Sequence, residues 1–458
     1  MSTDTSDADA SALPAIAAPS FGEATRAWTK IGLQSFGGPA AQISVMHRVL
    51  VEEKRWISEE RFLHALNYCM LLPGPEAQQL TVYIGWLLHG VRGGLVAGTL
   101  FVLPGFVTML ALSVAYVALA DLSWVTAIFA GLKAAVIAVV LEAVIRVSRR
   151  ALRGRAQVLI AVVAFIALHL FGVPFPAIVL GAAVLGACLL RGSAAPQSAG
   201  SSGAVPAVDA AAQQTRETRF GVGRSLRVLA TAGGLWWAPI LACAAWLGWR
   251  HVLTEEGLFF SRMAAVTFGG AYAVLAYLQQ QAVERYGWVR SLEMADGLAL
   301  AESTPGPLIM VVQFVGFLGA YREPAPWSPL TAGILGACLT TWVTFVPCFL
   351  WIFLGAPYVE RLRNVRRLQA ALAGVTSAIV GVILHVAVVF AAHTLFADVR
   401  TETRGPLQWL APDWSTWDPA STLIAAASAV ALVRWHWSLF TVLGLAAAAG
   451  LLRFLIAG

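Results

Sequence analysis

Charge is scarce in this sequence. Charged residues make up 12% of its 458 residues and hydrophobic residues 58%, whereas about 25% of the residues in an ordinary soluble domain are charged. Apolar runs near the roughly 20 residues that cross a bilayer recur along the chain, for example at 95–120, 124–145, 329–355 and 368–396. The composition excludes an ordinary soluble protein and predicts an all-α polytopic membrane protein.

Signatures of several other protein classes are also missing. The five cysteines lie apart in apolar segments without metal-ligand spacing, so we expect neither a metal nor a cofactor. The sequence contains no G-x-x-x-x-G-K loop and no evident nucleophile–base pair, which argues against an enzyme. Asp4, Asp7 and Asp9 occupy the place of the basic segment of a cleavable signal peptide. The net charge of +6 comes from clusters between apolar runs, which is typical of cytoplasmic loops rather than of nucleic-acid binding.

An internal duplication is the most informative feature that is present. Pro73-Gly74-Pro75 and Pro305-Gly306-Pro307 each interrupt an apolar stretch, and each begins 35 residues after the last glycine of a Phe-Gly-Gly break, at Gly38 and Gly270. The two halves are therefore related by an offset of 232 residues. In membrane proteins, broken segments at matching places in two halves indicate a transport site.

The duplication predicts five segments. Residues 1–20 are small and polar and are expected to be disordered. The two repeats occupy 21–191 and 257–458. Residues 192–227, rich in Ser, Ala, Gly and Pro, form a cytoplasmic linker, and 228–256 form an unpaired transmembrane helix that connects the halves.

Basic clusters predict that the two halves have opposite orientations in the membrane. Arginines at 146–155 follow the segment 124–145, whereas those at 361–367 precede the matching segment of the second half. Both clusters are cytoplasmic only if the halves are inverted, with the acidic stretch 398–418 outside. The same rule favours re-entrant hairpins at the Pro-Gly-Pro and Phe-Gly-Gly breaks. A single kinked helix at each break is the alternative.

The Pro-Gly-Pro breaks predict an anion site. Each can end one half-helix and start another, whose first N–H groups are free and carry partial positive charge. We therefore place an oxyanion between the two breaks; the alternative is that the glycines only permit tight helix packing. The predicted binding residues are Ser35, Gly37, Gly38, Gln42, Gly74, Pro75, Gln78, Lys133, Thr267, Gly269, Gly270, Thr304, Gly306 and Pro307.

Two acids and one lysine are candidates for transport chemistry. Glu76 and Glu302 adjoin the breaks and are predicted to carry a coupled proton; a first-turn helix residue and a surface residue are the respective alternatives. Lys133 lies within an apolar run, where an unpaired lysine costs several kcal/mol, so it is a functional candidate unless it snorkels to the interface.

Three further ionisable residues receive structural interpretations. Glu293 and Asp296 lie where the second hairpin begins, and a solvated position is expected for both. His385 lies within an apolar run and is interpreted as a packed, hydrogen-bonded histidine.

Both breaks belong to longer motifs. Leu72-Pro73-Gly74-Pro75-Glu76 is followed by Phe101-Val102-Leu103-Pro104-Gly105, and Thr267-Phe268-Gly269-Gly270 is followed by the segment 296–307. Over nearly the whole chain these motifs resemble the chromate ion transporter family in its long, two-domain form. The resemblance implies an inner-membrane, multi-pass exporter that confers chromate resistance and is driven by ion gradients rather than ATP.

Two functions from different classes follow from the sequence. The first is a secondary active exporter of chromate or a sulfate-like oxyanion. The second is a membrane scaffold, or a protein that handles lipid headgroups through re-entrant hairpins. The buried carboxylates and duplicated anion-type breaks favour the first. Membrane lipids are expected partners and nucleic acid is not; the sequence leaves the oligomeric state open, a homodimer included.

Overall fold

The computed structural model describes residues 19–70, 72–119, 122–190, 222–267, 271–355 and 366–457. Residues 1–18 of the predicted tail, most of the predicted linker, and the site residues Gly269 and Gly270 lie outside the described residues.

Helices account for nearly all the regular structure of the described chain. The first half contains α1 (Phe21–Gln34), α2 (Gly38–His47), α3 (Glu59–Cys69), α4 (Glu76–Ala118), α5 (Ser123–Ala151), α6 (Arg155–Phe171) and α7 (Phe175–Leu189), and α8 (Val222–Leu247) follows it. The second half contains α9 (Val252–Val266), α10 (Ala271–Leu278), α11 (Ser291–Ser303), α12 (Val311–Arg322), α13 (Pro329–Gly355), α14 (Arg366–Leu395), α15 (Pro419–Val433) and α16 (Leu439–Ala457). Short π-helices, Arg48–Glu53 and Gln279–Val283, extend α2 and α10.

Six helices of the described chain are long and apolar enough to cross a membrane: α4, α5, α8, α13, α14 and α16. This confirms the all-α polytopic membrane protein. Of the most apolar 18-residue stretch of each helix, 72% is buried inside the protein in α14 and 17% in α8. Thus α14 lies at the centre of the bundle. The connecting helix α8 lies at its edge, and it begins at Val222, within the segment predicted as linker.

The elements of the two halves recur in the same order. α1 and α3 return as α9 and α11 at the offset of 232 residues, and α5 returns as α14 at an offset of 243. The long helix α4 matches two helices of the second half, α12 and α13, because it is broken at Gly90. Gly90 has φ +60° and ψ −152°, a conformation that is essentially restricted to glycine.

Each half packs its central helix against the last two helices of the other. α5 contacts α15 and α16, α14 contacts α6 and α7, and α5 and α14 contact each other. Glycines permit close backbone approach at the crossings: a Cβ built on Gly186 would lie 2.7 Å from Gly374 Cα, and one on Gly131 would lie 3.1 Å from Gly450 N. The two halves therefore share one apolar interior.

The stretch 398–418, predicted as an acidic external loop, contains a β-hairpin. β1 (Val399–Arg404) pairs antiparallel with β2 (Leu407–Pro412), with Thr401 opposite Leu410. β2 packs against the end of α6. Beyond the hairpin, hydrogen bonds from the Ser415 hydroxyl and N–H hold the pKa of Asp413 below its usual value.

Candidate functional site

The two Pro-Gly-Pro turns are interlocked. The Gly74 N–H donates to the Thr267 carbonyl oxygen at 2.9 Å, and the Gly306 N–H donates to the Ser35 carbonyl oxygen at 2.7 Å. Gly74 and Gly306 are equivalent positions of the duplication, as are Ser35 and Thr267. Each turn is thus held by the residue that precedes the Phe-Gly-Gly break of the opposite half.

This interlock gives several predicted ligand groups a different role. Gly74 and Gly306 are predicted binding residues, yet their N–H groups donate to carbonyl oxygens of the opposite half. Gln42, predicted as an anion donor, donates from Nε2 to the Gly306 carbonyl oxygen at 2.6 Å. Buried backbone donors and acceptors need partners, and in this sequence the opposite half supplies them. These residues therefore form the junction between the halves.

Both turn glycines have positive φ and closely approach the opposite half. Gly74 has φ +114° and Gly306 has φ +89°. A Cβ on Gly74 would lie 3.0 Å from Cys348 Sγ, and one on Gly306 would lie 3.3 Å from Gly105 Cα. Cys348 and Gly105 are themselves equivalent in the duplication. Glycine is required here both for its conformation and for its lack of a side chain.

The first turn of α4 carries the clearest unpaired polar group near the breaks. α4 begins after Pro75 without a side-chain cap. Gln78 is fully buried, and neither its amide nitrogen nor its amide oxygen has a hydrogen-bond partner among the residues that the structure describes. Gln79, its neighbour, instead donates from Nε2 to the Pro73 carbonyl oxygen at 2.7 Å. An unsatisfied buried amide beside an uncapped helix start is the arrangement expected of a binding site.

The start of the equivalent helix is built differently. A short 3-10 helix, Leu308–Met310, lies between Pro307 and α12. Gln313, in the first turn of α12, donates from Nε2 to the Phe106 carbonyl oxygen at 3.0 Å. The two predicted half-helix starts are therefore not equivalent, and the open amide belongs to the first.

Lys133 forms an ion pair with a partner that was not predicted from the sequence. Its Nζ lies 3.3 Å from Asp296 Oδ2, and the Tyr116 hydroxyl donates to the same oxygen at 2.9 Å. The expectation of a solvated Asp296 is wrong, because α11 packs against α5 and only 2% of Asp296 is exposed.

Glu293 is likewise buried instead of solvated. It accepts hydrogen bonds from Arg290 and from Arg322, whose Nη2 contacts both carboxylate oxygens at 2.7 and 2.8 Å. α11 therefore carries two buried acids on adjacent turns, each paired with a cation.

The remaining predicted residues lie around the breaks. Glu302 is buried at the end of α11, which excludes the surface position, and Glu76 is half-buried at the start of α4. The Thr304 hydroxyl donates to the Ala301 carbonyl oxygen at 3.0 Å. Gly37 has φ +78° and precedes α2, which begins at Gly38.

Two further buried groups are of interest. His385 is hydrogen-bonded and packed, as expected: its Nδ1 lies 3.1 Å from Nδ1 of His169 in α6. Glu256 in α9 was not predicted from the sequence, although it is fully buried and neither carboxylate oxygen has a hydrogen-bond partner in the described ranges. A Cβ on Gly336 would lie 3.0 Å from its Oε2. Its position inside the hydrophobic segment 252–266 is the sequence feature from which Glu256 could have been predicted.

Comparisons with known proteins agree on one family. The family described as Chromate transporter matches residues 22–187 and 255–451. A chromate transport protein of Pseudomonas aeruginosa is 34% identical over 77% of this chain and 77% of its own length. One from Cupriavidus metallidurans is 29% identical over 81% of this chain and 82% of its own, and a probable chromate transport protein of Synechococcus elongatus is 29% identical over 91% and 96%. No solved structure matches the chain.

Proposed function

The chain belongs to the chromate transporter family, and we propose that it exports chromate across the inner membrane as a secondary active transporter. Chromate is a compact tetrahedral dianion, and sulfate-like oxyanions of the same shape are expected to compete for its site. The single observation that carries the proposal is the fully buried, unpartnered amide of Gln78 at the uncapped start of α4.

We place the oxyanion at the first turn of α4. The free N–H groups of this turn and the positive end of the helix favour an anion, and the Gln78 amide supplies a neutral donor. Neutral donors suit a site deep in a membrane, because an isolated positive charge would be costly while the site is empty. The interlocked turns at Gly74 and Gly306 hold this start in place, so that the donors are oriented before the ion arrives.

Proton coupling is the proposed source of energy. Glu302 and Glu76 adjoin the two Pro-Gly-Pro turns, where a carboxyl group can take up and release a proton close to the bound anion. The sequence has no nucleotide-binding loop, which agrees with a gradient-driven mechanism.

Radiolabelled chromate flux in everted membrane vesicles tests this proposal. Vesicles that contain the protein should accumulate chromate when a pH gradient is imposed, and sulfate should reduce the flux. Glu302→Gln, or Glu76→Gln, should retain chromate binding but lose the dependence on the pH gradient. Flux no greater than in vesicles without the protein contradicts chromate export; gradient-driven flux in both Gln variants contradicts the proton role.

We further propose that the halves are inverted in the membrane, with re-entrant hairpins at their breaks. The reciprocal packing of α5 and α14, and the reciprocal hydrogen bonds of Gly74 and Gly306, support a two-fold relation between the halves. The positions of the basic clusters favour a two-fold axis in the membrane plane over one along its normal.

Cysteine labelling checks the orientation at positions that follow two equivalent helices. Arg153 follows α5, Glu402 follows α14, and both are exposed. In a background whose five native cysteines are replaced by alanine, an impermeant thiol reagent should label Arg153→Cys only from the cytoplasm and Glu402→Cys only from outside. Labelling of both from the same side contradicts inversion. Chromate flux in each variant serves as the control for native structure.

A further inference from the structure

The ion pair between Lys133 and Asp296 lies deep in the protein and joins its two halves. Lys133 is ten residues into α5, about 15 Å from the start of the helix at 1.5 Å per residue. This is half of a hydrocarbon core about 30 Å thick. Asp296 comes from α11 of the second half. The pair is therefore a direct ionic link between a helix of the first half and a helix of the second.

The lysine of this pair is partly accessible, and one oxygen of the acid lacks a hydrogen bond from the described residues. The Lys133 side chain is 18% exposed, whereas that of Asp296 is 3% exposed. Within the described part of the chain, Asp296 Oδ1 has no hydrogen-bond partner, and Oδ2 is shared between Lys133 and Tyr116. The distance of 3.3 Å from Nζ to Oδ2 exceeds the 2.7–2.9 Å of a charge-assisted hydrogen bond. An incoming anion can therefore approach Lys133 but not Asp296.

The neighbouring acid on the same helix provides the contrast. Glu293 lies one turn before Asp296, and its carboxylate accepts short bonds from Arg290 and Arg322. Several short hydrogen bonds to one carboxylate are typical of an ion pair with a structural role. Compared with the pair at Glu293, the pair between Lys133 and Asp296 is loosely bonded.

We infer that Lys133 is a second oxyanion site on the transport path, separate from the first turn of α4, and that Asp296 is its resident counter-ion, which holds Lys133 while no oxyanion is bound there and is displaced when chromate binds there. The inference rests on the proposed function. A dianion attracts the ammonium group more strongly than a single carboxylate at the same distance. After displacement, Asp296 keeps the hydrogen bond from Tyr116. Substrate binding thereby removes a bond between the halves, and this difference between bound and empty states allows a ligand to shift a conformational equilibrium.

The inference predicts opposite effects for the two members of the pair. In the purified full-length protein, Asp296→Asn should lower the Kd for chromate about tenfold, since a competing anion has been removed. Lys133→Gln should raise Kd about tenfold, and the double variant should bind as weakly as Lys133→Gln alone. A purely structural ion pair predicts the reverse: Asp296→Asn does not bind more tightly, and the double variant recovers wild-type affinity. Either of these results overturns the inference.

Two further variants keep the test decisive if Asp296→Asn fails to fold. Tyr116→Phe removes the other partner of Asp296 and should therefore raise Kd, because the carboxylate then depends on Lys133 alone; unchanged or tighter binding overturns the inference. Glu293→Gln is the matched control, expected to lower Tm and leave Kd unchanged. If the wild-type protein binds no chromate by calorimetry, the proposed function itself fails. If it binds and Asp296→Asn binds no tighter, only the inference on Asp296 fails.

Discussion

Replacing Gly105 with alanine is expected to abolish chromate flux, although the same change in a helix interior ordinarily stabilises by about 0.5–1 kcal/mol. Gly105 lies in α4, and a Cβ there would be 2.6 Å from the carbonyl oxygen of Pro305. This oxygen belongs to the backbone of a turn that is fixed by bonds to Ser35 and Gln42. The turn cannot yield without breaking those bonds, and overpacking of this kind costs about 1–3 kcal/mol.

Gly181→Ala is the matched control for this experiment. Gly181 also lies within a helix, α7, but nothing is within 4 Å of the position of its Cβ. Its alanine variant should keep normal flux and have an equal or higher Tm. Gly306→Val should match Gly105→Ala in flux, since its side chain would enter the same contact from the other side at φ +89°. Normal flux in Gly105→Ala would show that the interlock is dispensable.

The second large effect is expected from Gln78→Leu, which should reduce chromate flux by about a hundredfold without loss of stability. A buried amide with no partner destabilises the folded protein by about 1–3 kcal/mol. Its replacement by an apolar side chain of similar size should therefore leave Tm unchanged or raise it. If Gln78 binds the oxyanion, the same replacement removes a donor from a site that excludes water, and flux falls.

Gln313→Leu separates these two effects. Gln313 is as buried as Gln78, but its amide donates to the Phe106 carbonyl oxygen. Leucine at 313 should lower Tm, because it removes the hydrogen bond from Gln313 Nε2 to the Phe106 carbonyl oxygen. Opposite changes in Tm for the two leucine variants, with flux lost in Gln78→Leu, are the expected pattern. Full flux in Gln78→Leu would refute the placement of the anion at the start of α4.

The features that could be predicted from sequence are local ones. Pro-Gly-Pro removes backbone donors and restricts the residue before it, so the breaks at 73–75 and 305–307 are dictated by the residues themselves. Apolar length likewise predicts spans such as α5 and α14. The duplication extends this reasoning from one half to the other, because a shared residue pattern implies a shared order of elements.

The contacts between the halves could not be predicted in this way. Spacing along the chain does not reveal that the Gly74 N–H meets the Thr267 carbonyl oxygen, because the bond depends on how two distant segments pack. The burial of Asp296 was not predicted for the same reason. An acid near the start of a hairpin is usually solvated, and only the position of α5 across from α11 gives it the Lys133 partner that permits burial.

The reciprocal bonds at the Pro-Gly-Pro turns also constrain the order of assembly during synthesis. When the first half leaves the ribosome, the acceptor for the Gly74 N–H has not yet been made, because Thr267 lies in the second half. The Ser35 carbonyl oxygen likewise has no donor until Gly306 has been synthesised. Unpaired backbone groups are costly in lipid, so the early chain must keep these breaks near water or beside a helper protein until the second half inserts. We therefore expect the last stage of folding to be the docking of two inserted halves rather than the completion of each one alone.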